Sequence, residues 1–140
     1  MASKLKFIDN SDAVKENIQR VTKKAMLEAC LLVEGQAKMH TPVVTGELRD
    51  KIRHEVKEKD TLTIGQVGSP LMYAIYVEFG TGEFAENGNG RKGGWRYKTP
   101  DGEWHFTRGG KPQPFLRPAF RQNKENIKRI FAKDLDANFK

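Results

Sequence analysis

The chain has 140 residues and a mass of 15.9 kDa, room for one hydrophobic core and too little for a two-domain enzyme of ordinary size. Its 25 lysines and arginines against 18 acidic residues give a net charge of +7, and its single cysteine, Cys30, excludes an internal disulfide or a multi-cysteine zinc site and suits a reducing compartment. No apolar run approaches the ~18 residues of a membrane span, and the opening MASKLKFIDNSD is too polar for a secretory signal, so a soluble product made in a cytoplasm is expected.

From Asp12 to His40 apolar residues recur at Val14, Ile18, Val21, Ala25, Ala29 and Leu32, with Met26, Leu27, Leu31 and Val33 widening the stripe, which predicts one long amphipathic helix over 12–40. Asn10 or Ser11 can cap its start, and Thr41-Pro42 stops it because proline disfavours helix in the residue before it. The stretch from Pro42 to Arg49 reads as a turn into a short helix with Thr45 as the cap. Residues 51–68 read as an antiparallel hairpin turning at Lys59-Asp60, with Leu62 and Ile64 facing inward. Ser69, Pro70 and Gly80 punctuate residues 71–79 as a short helix, although Tyr73, Ile75, Tyr76, Val77 and Phe79 would equally suit a strand. Residues 82–111 are glycine-rich yet alternate aromatic and polar side chains in Trp95–Lys98 and Trp104–Thr107, the pattern of a projecting hairpin. Pro118 can open a C-terminal helix over 118–137. The fold class is therefore α+β over 1–140 as one domain: a small antiparallel sheet packed against a long N-terminal helix and a C-terminal helix, with a projecting Gly-rich aromatic hairpin.

Little in the sequence carries catalytic chemistry. Gly88-Asn-Gly90-Arg-Lys-Gly93 spells a dinucleotide-binding pattern without the strand and helix that pattern requires, and is better read as a flexible loop. His40, His54 and His105 lack ligand spacing, and Cys30 on the helix stripe reads as a buried structural thiol. No catalytic residue, metal or cofactor is assigned. Trp95, Tyr97, Trp104 and Phe106 could stack on bases while Arg91 and neighbouring cations meet phosphates, joined by a basic last helix with Arg117, Arg121, Lys124, Lys128, Arg129 and Lys133. Interspersed acidic residues, and cations scattered around the helix axis, favour instead a protein interface built from Arg91, Trp95, Tyr97, Trp104 and Phe106. Phe115, Leu116 and Arg117 are candidates for the same interface or for closing the core.

Three blocks carry a resemblance. Thr41-Pro-Val-Val-Thr-Gly-Glu-Leu-Arg49, Tyr73-Ala-Ile-Tyr-Val-Glu-Phe-Gly-Thr81 and Pro112-Gln-Pro-Phe-Leu-Arg-Pro-Ala-Phe120 follow in the order and spacing seen in tail-completion, or head–tail joining, proteins of long-tailed bacteriophages, and the chain resembles that family over roughly residues 12–135. The resemblance implies structural roles for Pro42, Thr45, Gly46, Leu48, Tyr73, Tyr76, Glu78, Phe79, Gly80, Pro114 and Pro118. It implies a non-enzymatic virion component, assembled in the host cytoplasm as a homo-oligomeric ring, a hexamer in the family. The ring would contact connector, tail-terminator or tail-tube proteins, and DNA would pass through it without specific binding or any membrane contact. Glu78 is expected to pair with Arg49 or Arg117.

Overall fold

The computed structural model describes residues 9–43 and 46–139. Helix α1, Ser11–His40, runs 30 residues, about 45 Å at ~1.5 Å per residue. Neither Asn10 nor Ser11 caps it through a side chain; the Asp9 carboxylate instead accepts the Ser11 amide at 2.9 Å, and this bond holds the Asp9 carboxyl below its ordinary range. At the other end Thr41 turns extended ahead of Pro42, and its hydroxyl donates to the Ala37 carbonyl at 2.6 Å. The buried face of α1 is Val21, Ala25, Ala29, Cys30, Val33 and Ala37, rich in alanine, so other elements approach closely. Val14, Ile18, Leu27 and Leu31, placed on the stripe by sequence, face solvent. The packed elements cover α1 only from Val21 onward, and Leu27 and Leu31 lie beside the buried row.

Gly46, in the left-handed region at φ 83°, leads into the one-turn helix α2, Glu47–Asp50. Thr45, expected to cap that helix, lies outside the described residues. Strands β1, Arg53–Lys59, and β2, Leu62–Gly68, pair antiparallel across Asp60-Thr61, pairing His54 with Val67 and Val56 with Gly65. The face toward α1 is Thr63, Gly65 and Val67 with His54 and Val56. Leu62 and Ile64 therefore point outward, contrary to their expected place. A β-carbon at Gly65 would stand 2.6 Å from Cys30 Sγ and Met26 Sδ, so the inward position needs glycine, which a hydrophobic-pattern reading passes over. Helix α3, Ala74–Phe79, makes the larger part of 71–79 helical and none of it strand; it follows a turn at Met72-Tyr73, starting four residues after Pro70 rather than at it, and ends at Gly80, φ 81°.

The expected single C-terminal helix from Pro118 is two helices beginning earlier: α4, Leu116–Arg121, and α5, Lys124–Phe139. The break falls where Asn123 donates its side-chain amide to the Ala119 carbonyl at 2.8 Å and offers its own carbonyl to Ile127 at 2.9 Å, ending one helix and starting the next. The core gathers Val33, Ala37, Leu48, Ile52, Ala74, Phe115 and Ala119, one or more residues from each of the three sequence blocks. Strands β3, Trp95–Lys98, and β4, Trp104–Thr107, form a separate two-stranded sheet. The fold is α+β, with long N-terminal and C-terminal helices around small antiparallel sheets.

Candidate functional site

Two arrangements organise the surface around α3. The first is a buried clamp. Glu78, 3% exposed, receives the amides of Phe115 at 2.7 Å, Leu116 at 3.0 Å and Arg117 at 3.0 Å, the donors left open at the start of α4. Arg117 closes the ring: its Nε donates to Glu78 Oε1 at 2.9 Å, its Nη2 to the Glu78 carbonyl at 2.8 Å, and its two Nη atoms reach Glu86 at 2.7 and 2.9 Å. Its guanidinium also lies 4.5 Å from the Phe79 ring centre. Burial pushes the Glu78 carboxyl up, but the three amides and the guanidinium together outweigh burial and hold it below its ordinary range. Hydrogen bonds to Glu86 and Glu78 drive the Arg117 value up in turn. Glu78 thus pairs with Arg117; Arg49 lies 3.5 Å from Asp50. An acceptor for the Phe115–Arg117 amides is also why α4 starts before Pro118.

The second arrangement is the root of the glycine-rich insertion. Thr81 donates its amide to the Gly110 carbonyl at 2.9 Å, and its hydroxyl accepts the Gly110 amide at 2.8 Å. Glu83 donates its amide to the Arg108 carbonyl at 2.9 Å and accepts the Gly93 amide on its carboxylate at 3.2 Å. Side chains at Gly82, Gly90 or Gly109 would collide with the facing backbone, so the glycines are where strands of chain cross. The expected flexible loop at 88–93 is therefore part of a hydrogen-bonded base. It lies between a single 3-10 turn, Gly82–Phe84, and β3, which is not the setting of a dinucleotide fingerprint.

Above this root the hairpin projects with its aromatics split between two faces. Pairing of Trp95 with Thr107 and Lys98 with Trp104 puts Trp95, Tyr97 and His105 on one side, and Trp104, Phe106, Arg96 and Lys98 on the other. On the first, Tyr97 stacks on His105 with ring centres 5.5 Å apart, and Arg91 sits 5.6 Å from the Trp95 ring. On the second, Trp104 is 66% and Phe106 59% exposed. The turn is held by Asp101, whose carboxylate accepts the Thr99 hydroxyl and the Glu103 amide.

The sequence-predicted residues thus separate. Phe115 is fully buried, Leu116 packs against the core, and Arg117 is engaged inside the chain. Arg91, Trp95, Tyr97, Trp104 and Phe106 stand on the hairpin or beside it. Leu48, Glu78 and Gly80 are buried, Pro42, Pro114 and Pro118 half-buried, and Tyr73, Tyr76 and Phe79 exposed. Gly82, Glu86 and Gly109, which help organise the root and the clamp, are not singled out by sequence, and Thr81 enters only as the last residue of the second block; for the two glycines, glycine density is the signal. Burial pushes the Cys30 thiol up, with the Gln66 amide opposing and Glu34 reinforcing that direction. Among the described residues no three His, Cys, Asp or Glu side chains gather as a metal site, and no helix is long and apolar enough to cross a membrane.

A protein-family model described as "Bacteriophage HK97-gp10, putative tail-component" matches residues 6–80. The match ends at Gly80, where the glycine-rich root begins. No curated protein and no solved structure matches the chain.

Proposed function

The chain belongs to the HK97-gp10-like family of bacteriophage tail components, and from that premise we propose that it completes the tail as a homo-oligomeric ring at the neck, through which the genome passes. The family is one of structural components rather than an enzyme class, and it suggests a place in the virion. The ring, its hexameric symmetry and its contacts with connector, terminator or tube proteins are the finer part of the proposal.

The observation that carries it is the firmly rooted hairpin with Trp104 and Phe106 exposed at its far side. Large aromatics held clear of a core are characteristic anchors of protein interfaces. A ring subunit makes heterologous contacts, one patch against a different patch of its neighbour, and a projecting arm supplies such a patch. The charge distribution suits a passage for DNA that must not hold it. Neutralising many phosphates at once would anchor the genome by counterion release, whereas on α5 Lys124 and Lys133 lie on opposite sides of the helix and Lys128 is 3.3 Å from Glu125.

The test is genetic and structural. Particles prepared from a host whose phage or prophage lacks this gene are viewed by electron microscopy, and wild-type particles are analysed by mass spectrometry. Unjoined heads and tails, with the protein present in wild-type particles, are expected. Normally tailed, infectious particles without the gene would overturn the reading.

A further inference from the structure

We infer that the outer face of α3 is the receptor for the hairpin of a second copy of this chain, so that Trp104 and Phe106 of one subunit seat on the Tyr76 face of the next. The inference rests on the self-assembly proposed above and names its two surfaces.

The α3 face is anomalous for this chain. Between Thr61 and Gly82 the only charged residue is Glu78, and it is buried in the clamp. The helix itself therefore offers solvent no charge, in a protein in which 31% of residues are charged; the charges at its edges come from other segments, the Glu47 carboxylate accepting the Tyr73 hydroxyl at 3.3 Å, and Lys111 and Arg91 lining the grooves on either side. It offers apolar surface instead: Met72, Tyr73, Ile75, Tyr76 and Phe79 are all exposed, Ile75 at 59% and Tyr76 at 60%. Tyr76 lies between two grooves, one bounded by Pro42 and Gln113, the other by Phe79 and Trp95, so the patch is continuous across the helix. At about 150–250 Å² for a large side chain, the exposed parts of these five residues come to roughly 600 Å². That reaches the upper end of the ~300–600 Å² typical of the largest apolar patch on a monomer. It is also most of the ~800 Å² per partner that a stable interface buries.

The surface is also preorganised. A six-residue helix does not persist alone, and α3 is held by the Glu78 clamp below and by the Gly80–Thr81 root beside it. A docking partner therefore orders little on arrival.

The second copy is the occupant the chain itself suits. The Trp104 and Phe106 face is likewise exposed, and it carries Arg96 and Lys98 beside the aromatics. Those cations can sit over the Tyr73 and Tyr76 rings, Tyr73 being the ring whose hydroxyl donates to the Glu47 carboxylate, while the Phe79 ring already carries Arg117. Because arm and receptor are different surfaces, the contact is heterologous and propagates rather than closing as a pair.

The experiment uses the full chain with single added cysteines at exposed positions beside the contact residues, which stay intact: Met72→Cys in one preparation and Lys98→Cys, next to Trp104, in another. Native Cys30 is buried, and the wild-type chain is the control for it. Each is oxidised alone and, from the reduced state, as an equimolar mixture, up to about 1 mM, with thermal melts confirming that each is folded. Mixed disulfide dimers at least about fivefold over either homodimer are expected, together with multimers from a chain carrying both cysteines that Phe106→Glu abolishes. Predominant homodimers, or no crosslinked species at 1 mM, would overturn the inference. Crosslinking is scored independently of the particles: unjoined heads and tails with no mixed dimers would refute only this contact. Normal particles without the gene would refute the tail role however the cysteines pair.

Discussion

A carboxylate left only 3% exposed has to collect hydrogen bonds or lose its charge, and Glu78 collects them from three backbone amides and a guanidinium. Glu78→Gln keeps the shape but turns an NH₂ group toward donors. A loss of about 2–4 kcal/mol is expected from a buried group that no longer matches its partners, or about 5–15 °C in melting temperature for a chain of this size. Glu86→Gln, at the exposed end of the same arginine, is expected to cost much less than Glu78→Gln because solvent screens it. The sign with pH follows from the lowered carboxyl of Glu78. Its stabilisation is complete above the ordinary value of 4.5 and disappears as pH falls through the lower value it has in the folded state. Melts of wild type and Glu78→Gln between pH 7 and pH 3 should therefore converge on acidification; a gap that stayed constant would mean that the charge does not contribute. Sequence placed Glu78 beside two possible arginines and could go no further. Choosing between Arg49 and Arg117 requires knowing that the amides of residues 115–117 also need an acceptor, which is a fact of chain path.

The elements were legible to different depths for identifiable reasons. The periodicity that marks α1 depends only on local spacing, so the reading of 12–40 falls one residue short of the observed Ser11–His40, whereas which leucines are covered depends on how far the packed elements reach. The inward side of β2 was misread because its central inward residue is Gly65, and a pattern search rewards Leu62 and Ile64 instead. The split of hairpin aromatics was implicit in the sequence: once Lys98 faces Trp104, residues of equal parity share a side. The root was not legible, because dense glycine is the signature both of a loose loop and of chains crossing at van der Waals distance. Gly82→Ala separates those cases. With φ at 60° and the Arg108 carbonyl in the way, the substitution should cost about 2–4 kcal/mol through left-handed strain and a displaced strand. Hydrogen exchange should show lost protection at Thr81, Glu83 and Gly110 while the α1 amides keep theirs. Gly35→Ala, in open space on α1, should instead stabilise by about 0.5–1 kcal/mol. Equal protection at the root of wild type and Gly82→Ala would show that the glycines only fill a loop.

For the molecule as a whole the balance of apolar surface matters most. Among the described residues eleven hydrophobic side chains are buried, five of them alanine, against twenty large hydrophobic side chains left exposed. A core of that size supports only marginal stability in an isolated subunit. Burying Trp104, Phe106 and the α3 face against neighbours would then add to folding by mass action, since anything that binds the native state alone shifts the unfolding equilibrium. The melting temperature should accordingly rise with protein concentration. At a hundredfold excess over the dissociation constant the gain is about 2.7 kcal/mol, or roughly 5–10 °C at this length, and it should vanish in a chain carrying Trp104→Glu and Phe106→Glu. Scanning calorimetry from micromolar to millimolar protein measures this directly. A melting temperature independent of concentration in the wild type would mean that the exposed surface is reserved for other virion proteins rather than for copies of this chain. The same scan on the double variant guards against misreading aggregation as assembly, because its α3 face is intact and only the arm is changed.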